Sequence, residues 1–98
     1  MDNVFHDKMY LSNNYPNPFN PSTKIGFNLI TSSFLTIKIF DILGRDIQTL
    51  ANDYFEPGYK VISWDGKDYA GNTMSAGMYI YQLKTSQVTL SKKMVLLK

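Results

Sequence analysis

The densest set of side chains with metal-ligand chemistry lies in the run Asp65-Gly66-Lys67-Asp68-Tyr69-Ala70-Gly71-Asn72. Two carboxylates three positions apart, with the Asn72 amide close by, offer oxygen ligands of the kind that Ca²⁺ takes. Their spacing departs from the EF-hand loop, with its fixed alternation of acids and amides before a Gly. The same residues are also ordinary turn chemistry: Asp side chains accept backbone N–H bonds and Gly supplies positive φ. The turn is the expectation, and no metal or cofactor is assigned.

Other chemistry is sparse. The single His is His6, in a polar N-terminal segment, and there is no Cys. A Ser-His-Asp triad or a multi-His metal site needs a better-placed imidazole, and thiolate chemistry is absent. The chain therefore reads as non-enzymatic. Tyr54, Phe55, Tyr59 and Tyr69 could form a stacking platform for sugars, but aromatic residues are also ordinary strand formers. Lys92, Lys93 and Lys98 form either a basic patch or the usual protection of an edge strand. A formal charge of +2 is too weak to argue for nucleic acid. Asn20-Pro21-Ser22 is not a glycosylation site, because Pro sits between Asn and Ser.

The elements that must position these residues follow period two, bounded by turn residues, with no convincing amphipathic helix. Residues 1–10 read as a linker or lead-in segment. Leu11 to Tyr15 is a candidate first strand, running into Pro16, Pro18 and Pro21, which restrict this stretch to an edge or a rigid loop. Thr23 to Leu29 alternates, with Ile25, Phe27 and Leu29 on one face. Phe34 to Asp41 repeats this with Leu35, Ile37 and Ile39. Asp41 to Arg45 reads as a hairpin turn, with Gly44 suited to positive φ. In Asp46 to Leu50, Ile47 and Leu50 stand three apart, which implies a bulge or a strand exit. Pro57-Gly58 is a turn. Tyr59 to Trp64, Met78 to Thr85 and Val88 to Leu97 complete the set.

Seven short strands cannot each find a core in one open sheet. Two antiparallel sheets packed face to face solve this, so the expected fold is all-β, a seven-stranded antiparallel immunoglobulin-like β-sandwich over residues 11–98. Trp64 is the expected central core ring. The chain of 98 residues suits one domain. No uninterrupted apolar run exceeds four residues, so no helix of bilayer length is expected and no membrane insertion.

Several of these stretches together resemble a known family. Tyr15 to Thr23 reads YPNPFNPST and is followed by IGFNL; FDILG spans Phe40 to Gly44; Pro57-Gly58 and Trp64-Asp65-Gly66 come next. The chain closes on AGMYIYQL, from Ala76 to Leu83, and KMVLLK, from Lys93 to Lys98. This resembles the C-terminal sorting domain of the bacterial type IX (Por) secretion system across residues 11–98. The hook-capping immunoglobulin-like domain of flagellar assembly shares the WDG and GxYxY elements. Two positions depart mildly from the sorting-domain pattern: Ile30 stands where Pro is frequent, and Ala76-Gly77 where Ser-Gly is frequent.

The resemblance implies a non-catalytic module that directs an attached N-terminal cargo across the outer membrane. The implied partners are the outer-membrane type IX translocon and a sortase-like peptidase that removes the domain and anchors the cargo. The cargo would then be secreted or held at the cell surface, having passed through the periplasm. The implied recognition residues are Lys92, Lys93, Met94, Val95, Leu96, Leu97 and Lys98, with Tyr79 and Leu83 as support. The first ten residues lack the basic start and apolar stretch of an export signal, so a piece of a longer exported protein is expected. An edge position for the last strand would leave N–H and C=O groups for β-augmentation. One of the pairs Met94/Leu96 and Val95/Leu97 would then be buried and the other exposed. The competing readings are an immunoglobulin-like adhesion or carbohydrate-binding module and a flagellar hook-capping-type immunoglobulin-like domain.

Overall fold

The computed structural model describes residues 8–97. Among these, seven strands form and no helix: β1 (Tyr10–Leu11), β2 (Thr23–Leu29), β3 (Ser33–Asp41), β4 (Asp46–Phe55), β5 (Gly58–Trp64), β6 (Gly77–Lys84) and β7 (Thr89–Leu96). They build two antiparallel sheets, one of order β1-β2-β5 and one of order β4-β3-β6-β7. The expected immunoglobulin-like sandwich is the fold found.

Alternation places the core as expected. Ile25, Phe27 and Leu29 of β2 face Leu35, Ile37 and Ile39 of β3 and Tyr79, Tyr81 and Leu83 of β6, all buried. Trp64 sits among them, 5.5 Å from the Tyr79 ring and 5.7 Å from Phe19. Its indole N–H donates to the Lys67 carbonyl at 2.9 Å, so the buried ring keeps its polar atom satisfied.

Strand bounds shift by one residue at several ends, with β6 at Gly77–Lys84 in place of Met78 to Thr85, and larger changes fall on β1 and β4. The first strand is Tyr10–Leu11, not Leu11 to Tyr15, and Tyr15 makes only an isolated bridge to Lys24. Asn14 explains the break: its buried side chain turns inward and donates to the Pro16 carbonyl and the Thr23 hydroxyl. Strand β4 runs on to Phe55 instead of ending at Leu50. The spacing of Ile47 and Leu50 marks bulges, since the β3–β4 register skips both residues. The bulges let Ile47 and Ala51 both reach the core. The closing strand is one residue shorter at each end than Val88 to Leu97.

The loop after β5 resolves the Asp-Gly run as a turn. Asp65 Oδ1 accepts from the Lys67 amide at 3.1 Å, and Asp68 Oδ1 accepts from Ala70 and Asn72 at 3.0 and 2.9 Å. Gly66 has φ 79°, and an added Cβ there would lie 2.8 Å from the Pro21 carbonyl oxygen, so only Gly fits.

Candidate functional site: the closing strand and its clasp

Strand β7 lies at the edge of the four-stranded sheet, paired with β6 from Gly77↔Leu96 to Lys84↔Thr89 without a register shift. In an antiparallel ladder, alternate residues turn both backbone groups toward the partner strand or both away from it. Val95 turns away from β6, because its N–H donates to Asn17 Oδ1 at 3.1 Å and its carbonyl accepts from the Phe19 amide at 2.9 Å. The same parity turns Thr89, Ser91 and Lys93 outward. Their backbone groups have no partner on that side among the described residues.

The outer edge of β7 is thus divided. From Thr89 to Lys93 it is open, bordering a recess of 260 Å³ between Met9, Tyr10 and Leu11 and the β7 residues Leu90, Ser91 and Lys92. From Val95 to Leu97 it is clasped by the proline-rich loop. Phe19 and Leu96 form a parallel bridge, and the Leu97 amide donates to the Phe19 carbonyl at 2.8 Å. The clasp holds because Phe19 is itself a core residue, with 1% of its surface exposed.

The residues implied for recognition divide by face. Met94 and Leu96 are buried in the sandwich, as are Tyr79 and Leu83 of β6. Lys93 and Leu97 are exposed, while Lys92 and Val95 are half-buried. Lys98 lies outside the described residues, as do Met1 to Asp7 of the lead-in segment, including His6. Within this set the polar side chains in reach of solvent are therefore Lys92 and Lys93, with Val95 and Leu97 as the apolar pair beside them.

The loop and the strand are tied to the rest of the sandwich from the other side. The Tyr81 hydroxyl donates to the Ser12 carbonyl at 2.6 Å, linking β6 to the segment that follows β1. Burial pushes the Tyr81 phenol up to about 12, against a smaller opposing effect of the Asn14 amide. Asn14 and Thr23 then fix the start of the clasp, Thr23 donating to the Pro16 carbonyl at 2.8 Å.

The aromatic set does not converge. Phe55 packs edge-on against buried Phe27 at 5.6 Å. Tyr59 lies over Gly26 and beside Tyr10. Tyr69 donates to Asp46 at 2.7 Å, and Tyr54 stands opposite Phe34 on the β3–β4 pair. No two of the four rings contact each other among the described residues. The part of the site that sequence reasoning missed is the clasp. Its one visible signal is Phe19, a large apolar residue alone in a run of Pro, Asn and Ser.

A sandwich with a presented closing strand defines an immunoglobulin-like module. The chain belongs to the secretion system C-terminal sorting domain family, whose model matches residues 13–97. The family is that of the type IX secretion signal, so the parent protein is exported, and is either secreted or attached at the cell surface. The fold is similar to part of dimeric latent PorU from Porphyromonas gingivalis, with a TM-score of 0.73 and 17% identity over 92% of this chain and 9% of that one. It is also similar to part of PorZ from the same organism, an essential surface component of its type IX secretion system. That likeness has a TM-score of 0.59 and 18% identity, over 94% of this chain and 12% of PorZ. FlgD from P. aeruginosa is similar too, with a TM-score of 0.61 and 26% identity over 76% of this chain and 58% of that one. No curated protein matches the sequence. The chain therefore spans less than two thirds of each of these structures.

Proposed function

We propose that this chain is the non-catalytic address of a longer protein, carrying an attached N-terminal cargo across the outer membrane through the type IX translocon. A sortase-like peptidase then removes the domain and anchors the cargo. The machinery reads Lys92, Lys93, Met94, Val95, Leu96, Leu97 and Lys98. Met94 and Leu96 hold the strand in the core, while Lys92, Lys93, Val95 and Leu97 are offered outward. The observation that supports this best is the open outer edge from Thr89 to Lys93. An exposed edge is a template for strand addition unless it is deliberately protected, and lysines at the edge keep it from pairing indiscriminately.

The experiment is a fluorescent cargo with an export signal, fused ahead of residues 1–98 in a type IX-competent bacterium. Lys93→Glu with Lys98→Glu is expected to leave the melting temperature of the purified domain unchanged and to hold the cargo in the periplasm. Normal secretion of the double variant refutes the assignment of these residues. A second reading, a flagellar hook-capping-type immunoglobulin-like module that stays on its protein, draws support from the likeness to FlgD. It predicts that the domain remains attached to the cargo recovered outside the cell.

A further inference from the structure

The outer face of the four-stranded sheet is divided along its length. At the end that carries the chain terminus, Phe40, Ile80 and Lys93 form one cross-strand row, and Met78 and Val95 form the next. Ile42 and Leu43 extend these rows from the β3–β4 turn, 69% and 74% exposed, beside Met78 at 43%. Further along the same face the rows turn polar: Lys38, Gln82 and Ser91, then Thr36, Lys84 and Thr89.

The turn that presents Ile42 and Leu43 is rigid. Asp41 Oδ1 accepts from the Leu43 and Arg45 amides, both at 2.9 Å, and Asp41 Oδ2 accepts from the Arg45 guanidinium at 2.7 Å. The Arg45 amide bond, with the guanidinium beside it, holds the Asp41 carboxyl below its ordinary range. Two large apolar side chains are thus presented to water by a hydrogen-bonded turn, next to a half-apolar sheet face. Such patches mark contact surfaces.

Charge selects the occupant. Asp41 is engaged by Arg45, and Asp46 by Lys38 at 3.2 Å and by Tyr69. Lys93, at the end of the Phe40–Ile80 row, has no ion pair among the described residues. Among the described residues the face therefore has an apolar centre, an unpaired cation at its rim and no carboxylate without a partner. Among the described residues, a second copy of this face offers Lys93 no carboxylate that is not already engaged. We infer that this face, built on Ile42, Leu43, Phe40, Met78, Ile80 and Val95, docks on a component of the export machinery that offers an apolar surface with carboxylates at its rim. This deepens the sorting reading and rests on it, adding to the closing strand a contact centred on the β3–β4 turn, which shares Lys93 and Val95 with that strand.

The test uses the cargo fusion described above, with Ile42→Ser and Leu43→Ser together. Export is expected to fall about tenfold, as for loss of interface anchors, with the melting temperature of the purified domain unchanged. Gln82→Ser, on the polar half of the face, is expected to export at the parent level. Parent-level export by the double variant overturns this inference and leaves the sorting reading intact, as does an equal loss in Gln82→Ser. Failure of the unmodified fusion to leave the periplasm removes the sorting reading, and this partner with it. The purified parent chain is expected to be monomeric by light scattering and to stay in the supernatant with phosphatidylglycerol vesicles. A dimer split by the double variant, or sedimentation with vesicles lost in it, reassigns the face to a second copy or to lipid and overturns the inference.

Discussion

Phe19 and Leu96 run side by side in the same direction, seventy-seven positions apart in sequence, and join the proline-rich loop to the end of the closing strand. Two backbone bonds flank the pair, from the Phe19 amide to Val95 at 2.9 Å and from the Leu97 amide to Phe19 at 2.8 Å. Both side chains are buried. The family's opening and closing stretches therefore meet in space, and the tail is held by the loop even though it sits at a sheet edge.

Phe19→Ala is expected to cost about 3–5 kcal/mol in urea unfolding, as for other fully buried aromatic rings. The milder Phe19→Leu keeps the domain folded at room temperature. In both variants the Leu97 amide should exchange with solvent faster, while the amides of Met94 and Leu96, which face β6, keep their protection. Unchanged exchange at Leu97 would show that the loop does not hold the tail.

Proline scanning reads the parity of β7. The Ser91 N–H faces the open edge, so Ser91→Pro removes no ladder bond and is expected to be close to neutral, within about 1 kcal/mol. The Lys92 N–H faces β6 opposite Tyr81, so Lys92→Pro leaves a carbonyl unpaired and is expected to cost about 2–3 kcal/mol. If a partner strand adds along this edge, Ser91→Pro lowers export despite its stability, and secretion of the fused cargo measures it.

Tyr81 links stability to alkaline pH. Its folded-state value of about 12 lies above the ordinary 10.0, so the unfolded chain loses the phenol proton first as pH rises. The stability contributed by this group is complete below pH 10.0 and is lost as pH rises toward about 12. Tyr81→Phe, which removes the bond to Ser12, is expected to cost about 1 kcal/mol at neutral pH. Its urea midpoint should then fall less steeply than the parent's in the alkaline range. Parallel curves would place the Tyr81 hydroxyl in water.

Much of the architecture is legible in period two. Ile25, Phe27 and Leu29, then Leu35, Ile37 and Ile39, then Tyr79, Tyr81 and Leu83 each mark a buried face, because a strand alternates its side chains whatever its neighbours do. Turn chemistry is equally local: Asp41 with Gly44, and Asp65 with Gly66, bend the chain through bonds to residues only a few positions away. The Ile47–Leu50 spacing signals irregularity for the same reason.

Contacts between distant segments follow no such rule. Which edge of β7 stays open, why Asn17 and Phe19 close only its last residues, and that Ile42, Met78 and Val95 share one face all depend on strand order and register. Exposure behaves likewise: Phe55 and Tyr54 are neighbours in sequence, yet one packs on Phe27 and the other faces water. Local alternation specifies which residues share a side of a strand. The packing of one sheet on the other then sets which of those sides meets the core, and which backbone groups are left for a partner.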